Sequence, residues 1–287
     1  MHNLHQGTKL PPLRLNARNT SVESSNTIHH DADARQYGYA GGLVPGVTLY
    51  AYLTQLAVSF YGAVWLERGT ADFSVRRPVY DGETVVCEGT VVSGVGDGLA
   101  LDLRVLREDG PHCAGGIFAL ADVETDMPAR LSAAPPAPNP LPLVSLENGP
   151  PIGVPLSPLD ISLSEKEAAS YADFSDDHNP WYRGASPFGG ALVPPGWLAQ
   201  RQSPLLRANF RFTGPSIHVR SVIRHLAPAF AGRTYRTNGV ISDAFERKGN
   251  QYLVLDAETS DDHDRIICRV EHTWIWKVRE ADSEPAH

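Results

Sequence analysis

The sequence predicts an α+β protein built twice from one unit, in which a long apolar helix is wrapped by antiparallel strands. Three observations predict it. Prolines crowd the middle of the chain, short motifs recur across that divide in one register, and each half carries one helix-like segment followed by strand-like runs. Of 23 prolines, ten fall between Pro128 and Pro158. Each proline removes a backbone donor and restricts the residue before it, so this stretch reads as an extended connector. The domains expected are residues 1–125, a connector over 126–158, and residues 159–287.

The recurrence is specific. Pro78-Val79-Tyr80-Asp81-Gly82-Glu83-Thr84 matches Pro228-Ala229-Phe230-Ala231-Gly232-Arg233-Thr234, and Gly89-Thr90-Val91 matches Gly239-Val240-Ile241, both at an offset of 150 residues. Upstream, Gly42-Leu43-Val44-Pro45 matches Ala191-Leu192-Val193-Pro194 at an offset of 149. Three matches in the same order indicate a duplicated unit.

In the first half, Gly46 to Leu66 is apolar on nearly every face at helical spacing, which predicts a buried helix. Strands are predicted over Asp72–Arg76, Glu83–Ser93, Leu99–Arg107 and His112–Asp122, separated by Gly-containing turns. The second half repeats the pattern over Ser216–Leu226, Thr234–Asp243, Gln251–Thr259 and Arg265–Lys277. Its helix, from Gly196, is interrupted by Gln200, Arg201, Gln202 and Pro204, which predicts a poorly packed element and room beside it. Trp274 and Trp276 alternate along the last strand and are expected to pack a sheet face.

Composition narrows the function classes. The chain has 287 residues, 42% hydrophobic and 20% charged, with a formal net charge of -8. An acidic chain lacks the electrostatic footprint of a nucleic-acid binder. Cys87, Cys113 and Cys268 are odd in number, widely spaced and without zinc-site spacing, so they are expected to be reduced thiols in a cytoplasmic protein. The first 19 residues hold no apolar run, so no secretory signal is expected, and a single apolar helix amid globular sequence is expected to be core rather than a membrane span. Neither a metal nor a cofactor is expected.

This arrangement resembles the double hot-dog fold, and specifically the MaoC-like family of enoyl-thioester hydratases and dehydratases. That family carries Asp-x-Asn-Pro-aliphatic-His-x-Asp ahead of its central helix. The first half reads Ser24-Ser25-Asn26-Thr27-Ile28-His29-His30-Asp31, so Asn26, Ile28, His29 and Asp31 match. Ser24 stands at the catalytic aspartate's place, Thr27 at the proline's, and Pro45-Gly46 replaces a His-Gly helix start. The second half reads Asp177-His178-Asn179-Pro180-Trp181-Tyr182, where Asp177, Asn179 and Pro180 match and Tyr182 replaces the histidine. Neither half holds the complete Asp/His pair.

The resemblance implies a hydro-lyase that adds water to, or removes it from, a 2-enoyl or 3-hydroxyacyl thioester of CoA or acyl carrier protein, with a homodimer allowed. His29 is the base, with Asn26 and Asp31 beside it, and amides around Gly46 hold the carbonyl oxygen. Asp177, Asn179 and Tyr182 are secondary candidates. Two bland readings stand beside these. His29 is a loop histidine satisfied by Asp31 or Asp33, and Asp-x-Asn-Pro is a turn whose side chains cap local amides. The incomplete motifs leave open a protein that binds an acyl thioester without hydratase chemistry, or a thioesterase or cyclase on the same scaffold. Arginines of the second half, among them Arg201, Arg207, Arg220, Arg233 and Arg236, are candidates for the carrier's phosphates.

Overall fold

The computed structural model describes residues 5–94, 98–108, 110–121, 131, 144–145, 149–212 and 214–279. In chain order the elements are β1 (Leu13–Asn16), α1 (Asp31–Gln36), α2 (Gly46–Tyr61), α3 (Trp65–Arg68), β2 (Gly69–Val75), β3 (Thr84–Ser93), β4 (Leu99–Arg107), β5 (His112–Leu120) and β6 (Val144–Ser145). There follow β7 (Leu159–Leu163), α4 (Glu165–Phe174), α5 (Pro195–Ala199), α6 (Gln202–Asn209), β8 (Phe210–Arg211), β9 (Ile217–His225), β10 (Arg233–Arg247), β11 (Asn250–Asp261) and β12 (Ile266–Lys277). The sequence does not announce β1, β7 and α4. The hairpin of β10 and β11 is longer than expected, turning at Lys248 and Gly249, both with positive φ.

Ten strands form one antiparallel sheet in the order β1-β3-β4-β5-β2-β9-β12-β11-β10-β7. The order is one five-strand pattern laid down twice, back to back. The seam is β2 against β9, from Thr70 opposite Arg224 to Ser74 opposite Arg220. Each seam strand would otherwise be an edge with unpaired backbone groups. Arg220 clamps Asp72 across the seam with two bonds of 2.8 Å. That pair is solvent-exposed and contributes little. The hydrophobic core does more, running unbroken from Leu49, Trp65 and Phe73 in the first half to Ile223, Tyr235 and Val270 in the second.

The repeated motifs are explained by repeated hydrogen bonds. Val44 N donates to Val79 O at 2.8 Å, and Val193 N donates to Ala229 O at 2.9 Å. Leu43 N donates to Ile28 O at 3.0 Å, and Leu192 N donates to Trp181 O at 2.8 Å. Gly82 and Gly232 take the left-handed conformation at φ 77° and 84°, which a turn after an aromatic residue requires. Each motif thus ties the segment entering the central helix to the turn that leads into the next long strand.

The α-helix from Gly46 stops at Tyr61 rather than Leu66. Gly62 takes φ 67°, which ends it, and a 3-10 turn leads into α3. The fully buried Trp65 stacks with Tyr61 and Phe118. Gly46–Arg68 is apolar and long enough to cross a bilayer, but it is the core segment that the sheet wraps.

The second helix is broken as expected, into α5 and α6. The arginine at the break does not face solvent. Arg201 is buried, with its guanidinium 3.9 Å from the Trp197 ring centre and its Nε donating to Trp197 O. Burial pulls its pKa down to about 10. Most of the proline-rich connector lies outside the described residues. Its last part is not a free spacer, because Ile152 and Pro155 bridge to Ile241 and Val240 of β10.

Expressed alone, residues 1–125 present β2 as an open edge and lose the α5 cover of α2. We expect them to run as dimers or aggregates in size-exclusion chromatography. A monomer that melts cooperatively would contradict the shared core.

Candidate active site

A cavity of about 440 Å³ lies where the two halves meet. The first half contributes Asn26, Ile28 and His29, the start of α2 at Gly46 and Val47, and the stretch from Val75 to Val79. The second half contributes the break between α5 and α6, the start of β9, and His272 and Trp274 of β12. The break opens the space, since Gln200 to Pro204 line the cavity instead of continuing a helix through it.

His29 sits in a one-turn 3-10 helix, Thr27–His29. Its Nδ1 is 2.7 Å from Leu43 O. A carbonyl only accepts, so Nδ1 carries the proton and donates. Its Nε2 is 3.2 Å from Asn26 Nδ2. The Asn26 amide is itself fixed, because Ser216 N donates to Oδ1 at 2.9 Å and Nδ2 donates to Ser216 O at 2.8 Å. Asn26 therefore donates to His29 Nε2 and occupies its lone pair in this state, in a residue that lines the cavity. Burial pulls the His29 pKa down to about 4, against the Leu43 hydrogen bond, with Arg207 adding to the fall. The ring is neutral at pH 7 with Nε2 unprotonated, the form a general base needs.

The start of α2 has no side-chain cap. Thr48 N and Leu49 N donate to Pro45 O, which leaves the Gly46 and Val47 amides at the cavity. They carry the partial positive charge of the helix end. A methyl group at Gly46 would run into Val75 and into His218 Nδ1. Glycine is needed there for that close approach.

Sequence reasoning missed the opposite wall. His218 and Ser221 on β9 and His272 on β12 line or support it, with the histidine ring centres 4.3 Å apart. Ser221 Oγ lies 2.9 Å from His218 Nε2 and 2.6 Å from His272 Nδ1. Residues 218 and 221 would face opposite sides of a regular strand. Here Thr273 pairs with Arg220 while Trp274 pairs with His218, so Val219 is an extra residue that turns His218 onto the Ser221 face. A period-two reading cannot see such a bulge. Burial holds His218 at about 3 and His272 well below its ordinary value, with His218 adding to the latter shift.

Other expected residues lie elsewhere. Asp31 is not at the cavity. Its Oδ1 accepts from Gly42 N at 2.8 Å and its Oδ2 pairs with Arg35, so it anchors the glycine turn. Neither Asp31 nor Asp33 satisfies His29, and Asp33 pairs with His30 instead. Asn26 is committed to Ser216 and His29, so it positions these groups rather than reaching freely for a water or substrate.

The second-half motif is built like the first but closed. Asp177 Oδ1 accepts from Asn179 N as Ser24 Oγ accepts from Asn26 N. Asn179 then caps the 3-10 helix through Trp181 N. Tyr182, the positional counterpart of His29, is fully buried and its hydroxyl has no partner. A methyl at Gly196, the counterpart of Gly46, would meet Ala51 and the Tyr171 hydroxyl, and Gly196 does not line the cavity. Asp177, Asn179 and Tyr182 do not line the cavity. Arg220, Arg233 and Arg236 are paired with carboxylates, whereas Arg76, Arg77 and Arg201 line the cavity. Trp274 packs the sheet face and also lines the cavity. Among the described residues, no group of three or more His, Cys, Asp or Glu is placed to hold a metal ion.

No protein-family model matches the chain, and no curated protein matches its sequence. Its structure is similar to solved double hot-dog proteins over nearly its whole length. A chain described as a MaoC domain protein dehydratase from Chloroflexus aurantiacus aligns with TM-score 0.68 and 13% identity, covering 95% of this chain and 96% of that one. A conserved hypothetical protein of Mycobacterium tuberculosis with a double hotdog fold aligns with TM-score 0.66 and 15% identity, covering 95% and 97%. A MaoC-like dehydratase aligns with TM-score 0.62 and 14% identity, covering 98% and 99%. At these identities the likeness is one of fold: the chain is a double hot-dog protein.

Two predictions follow from the site's burial. His29 and, outside the site, His225 at the end of β9 are held at about 4, His218 at about 3, and burial keeps His272 well below the 6.5 of the free side chain, so all four are neutral at pH 7. A lowered folded-state pKa makes the unfolded chain bind more protons between those values, so stability falls as pH drops from 6.5 towards 4. Each group contributes up to about 1.4 kcal/mol per pH unit. Urea titrations between pH 7 and 4.5 are expected to show uptake of about four protons on unfolding near pH 5, and uptake of one or fewer would contradict it. Replacing Gly46→Ala is expected to cost about 1–3 kcal/mol by overpacking against His218 and Val75, read as a loss of melting temperature.

Proposed function

We propose that the chain acts on an acyl thioester, hydrating a 2-enoyl group or dehydrating a 3-hydroxyacyl group. One observation carries this reading: a neutral histidine with its base nitrogen defined stands in the same cavity as two uncapped helix-start amides. The thioester carbonyl lies against the Gly46 and Val47 amides. In the hydration direction, His29 Nε2 exchanges its hydrogen bond from Asn26 for one from water and takes a proton from that water as the oxygen adds to C3. Charge gathers on the carbonyl oxygen, where those amides stabilise it. Protonation at C2 completes the addition. The apolar lining from Ile28, Leu49 and Trp274 suits an acyl chain, and Arg76 and Arg77 supply positive charge for a carrier's phosphates.

A second reading has a specific observation in its favour. Ser24 occupies the position of a carboxylate in the hydratase motif, and among the described residues no carboxylate partners His29. The same neutral histidine and amides suit attack of water on the thioester carbonyl itself. The products separate the two readings.

Incubation with 2-enoyl-CoA thioesters of several chain lengths is expected to remove the conjugated double bond without releasing free thiol. Thiol release with the double bond intact favours hydrolysis. Replacing His29→Ala is expected to lower kcat/KM by about 10²–10⁴-fold. It is also expected to cost about 1–3 kcal/mol of stability, because Leu43 O loses its partner. The acid limb of the pH–rate profile is expected near 4, not 6.5, because His29 stays unprotonated down to its lowered value. Replacing Arg76→Ala or Arg77→Ala is expected to raise KM for a CoA substrate and leave kcat unchanged.

A further inference from the structure

We propose that Arg201 is an anion-binding residue inside the cavity and that it selects thioesters whose acyl group carries a carboxylate. This rests on the thioester reading of the site and names the substrate class that site takes.

The cavity is lined by Arg76, Arg77 and Arg201 and by no aspartate or glutamate. Its charge is therefore unbalanced until an anion enters. The three arginines are not alike. Arg76 and Arg77 follow β2 and are exposed. Arg201 stands at the break between α5 and α6 and keeps only 6% of its surface. Burying a cation without a counter-ion is costly, and buried cations are normally paired. Among the described residues, no carboxylate pairs with Arg201. The titratable side chain that acts on its guanidinium is the Tyr171 phenol, which burial keeps protonated at neutral pH. The guanidinium itself stays charged there, since burial lowers it only to about 10.

Its orientation leaves a fork of donors free. The guanidinium lies over the Trp197 ring, 3.9 Å from its centre, and Nε donates to Trp197 O at 3.0 Å. These contacts hold one edge of the group. Nη1 and Nη2 have no partner among the described residues, and neither is sealed in the core. The two terminal amino groups lie in one plane and present parallel N–H bonds, which the two oxygens of a carboxylate match.

The anion belongs to the acyl group rather than to the carrier. A cavity of about 440 Å³ suits an acyl group, not a whole coenzyme. The carrier's phosphates lie a pantetheine arm away from the thioester, where the exposed Arg76 and Arg77 suit them. Arg201 shares the cavity with Gly46 and Val47, whose amides are assigned to the carbonyl oxygen. An acyl group held at both ends therefore lies between the start of α2 and the α5–α6 break.

The test uses ketone analogues of succinyl-CoA and butyryl-CoA in which a methylene group replaces the thioester sulfur. Both have four acyl carbons and the same phosphates, and neither can be hydrated or hydrolysed. In calorimetric titrations of the wild type, the succinyl analogue is expected to bind at least about 10-fold more tightly. Equal affinity would overturn the proposal. Arg201→Met removes the charge and is expected to erase the preference, with butyryl-analogue affinity changed by less than about 2-fold. Arg201→Lys, which keeps the charge without the fork, is expected to retain part of the preference. Equal weakening of both analogues in Arg201→Met would put a carrier phosphate at Arg201 and overturn the proposal. The ligand-free Arg201→Met protein is expected to melt no lower than the wild type, because it loses an unpaired buried charge. A lower melting temperature with the preference retained would make Arg201 structural. If the variants do not fold, the wild-type comparison decides alone. If neither analogue binds, the thioester reading fails, and succinate becomes the probe. It is then expected to raise the melting temperature of the wild type where butyramide does not, and absence of that shift would overturn the anion site as well.

Discussion

The two-way hydrogen bond between the Asn26 amide and the Ser216 backbone is the joint on which the site depends. It ties the loop of the first half to the start of β9 in the second. It also fixes the orientation of Asn26, and through Asn26 the hydrogen-bonded state of His29 Nε2. The strand seam brings the halves together, and hydrogen bonds between Leu43 and both Ile28 and His29 hold the loop to its own half. The Asn26–Ser216 pair holds it to the other. It places the first-half histidine in the same cavity as the second-half histidines, so the cavity is complete only when both halves are present.

The two halves are not equivalent at this cavity. Both halves keep the bonds that carry the chain from the motif loop into the helix start. They differ in what fills the space ahead of that helix. In the first half, the interrupted second helix leaves room beside the start of α2. In the second, the Tyr171 hydroxyl and Ala51 crowd Gly196, and Tyr182 replaces a polar ring with a buried phenol. Burying the Tyr182 hydroxyl without a partner costs stability, as does burying four neutral imidazoles. The long shared core offsets these costs.

The fold was largely legible in the sequence because its signals are local or periodic. The Pro-x-aromatic-x-Gly turns, the all-round apolar helix after Gly46 and the alternating strands each leave a pattern, and the register of the repeats follows from bonds the two halves share. The edge strands β1 and β7 are short and flank irregular segments, so periodicity did not reveal them. In the site, His29, Asn26 and Gly46 were legible through the motif. Asp31 was named through its match to the motif, whereas its carboxylate accepts from Gly42 N and lies away from the cavity. His218, Ser221 and His272 left no trace. They meet only through strand pairing 51 residues apart and a bulge at Val219, neither of which spacing along the chain encodes.

The most direct test of the account is a crystal structure of the intact chain with an unreactive acyl-CoA analogue. The account predicts the acyl group in the cavity between the halves, its carbonyl oxygen within hydrogen-bond distance of the Gly46 and Val47 amides, and His29 and His218 on either side. Density against the Tyr182 loop, with the His29 cavity empty, would contradict it.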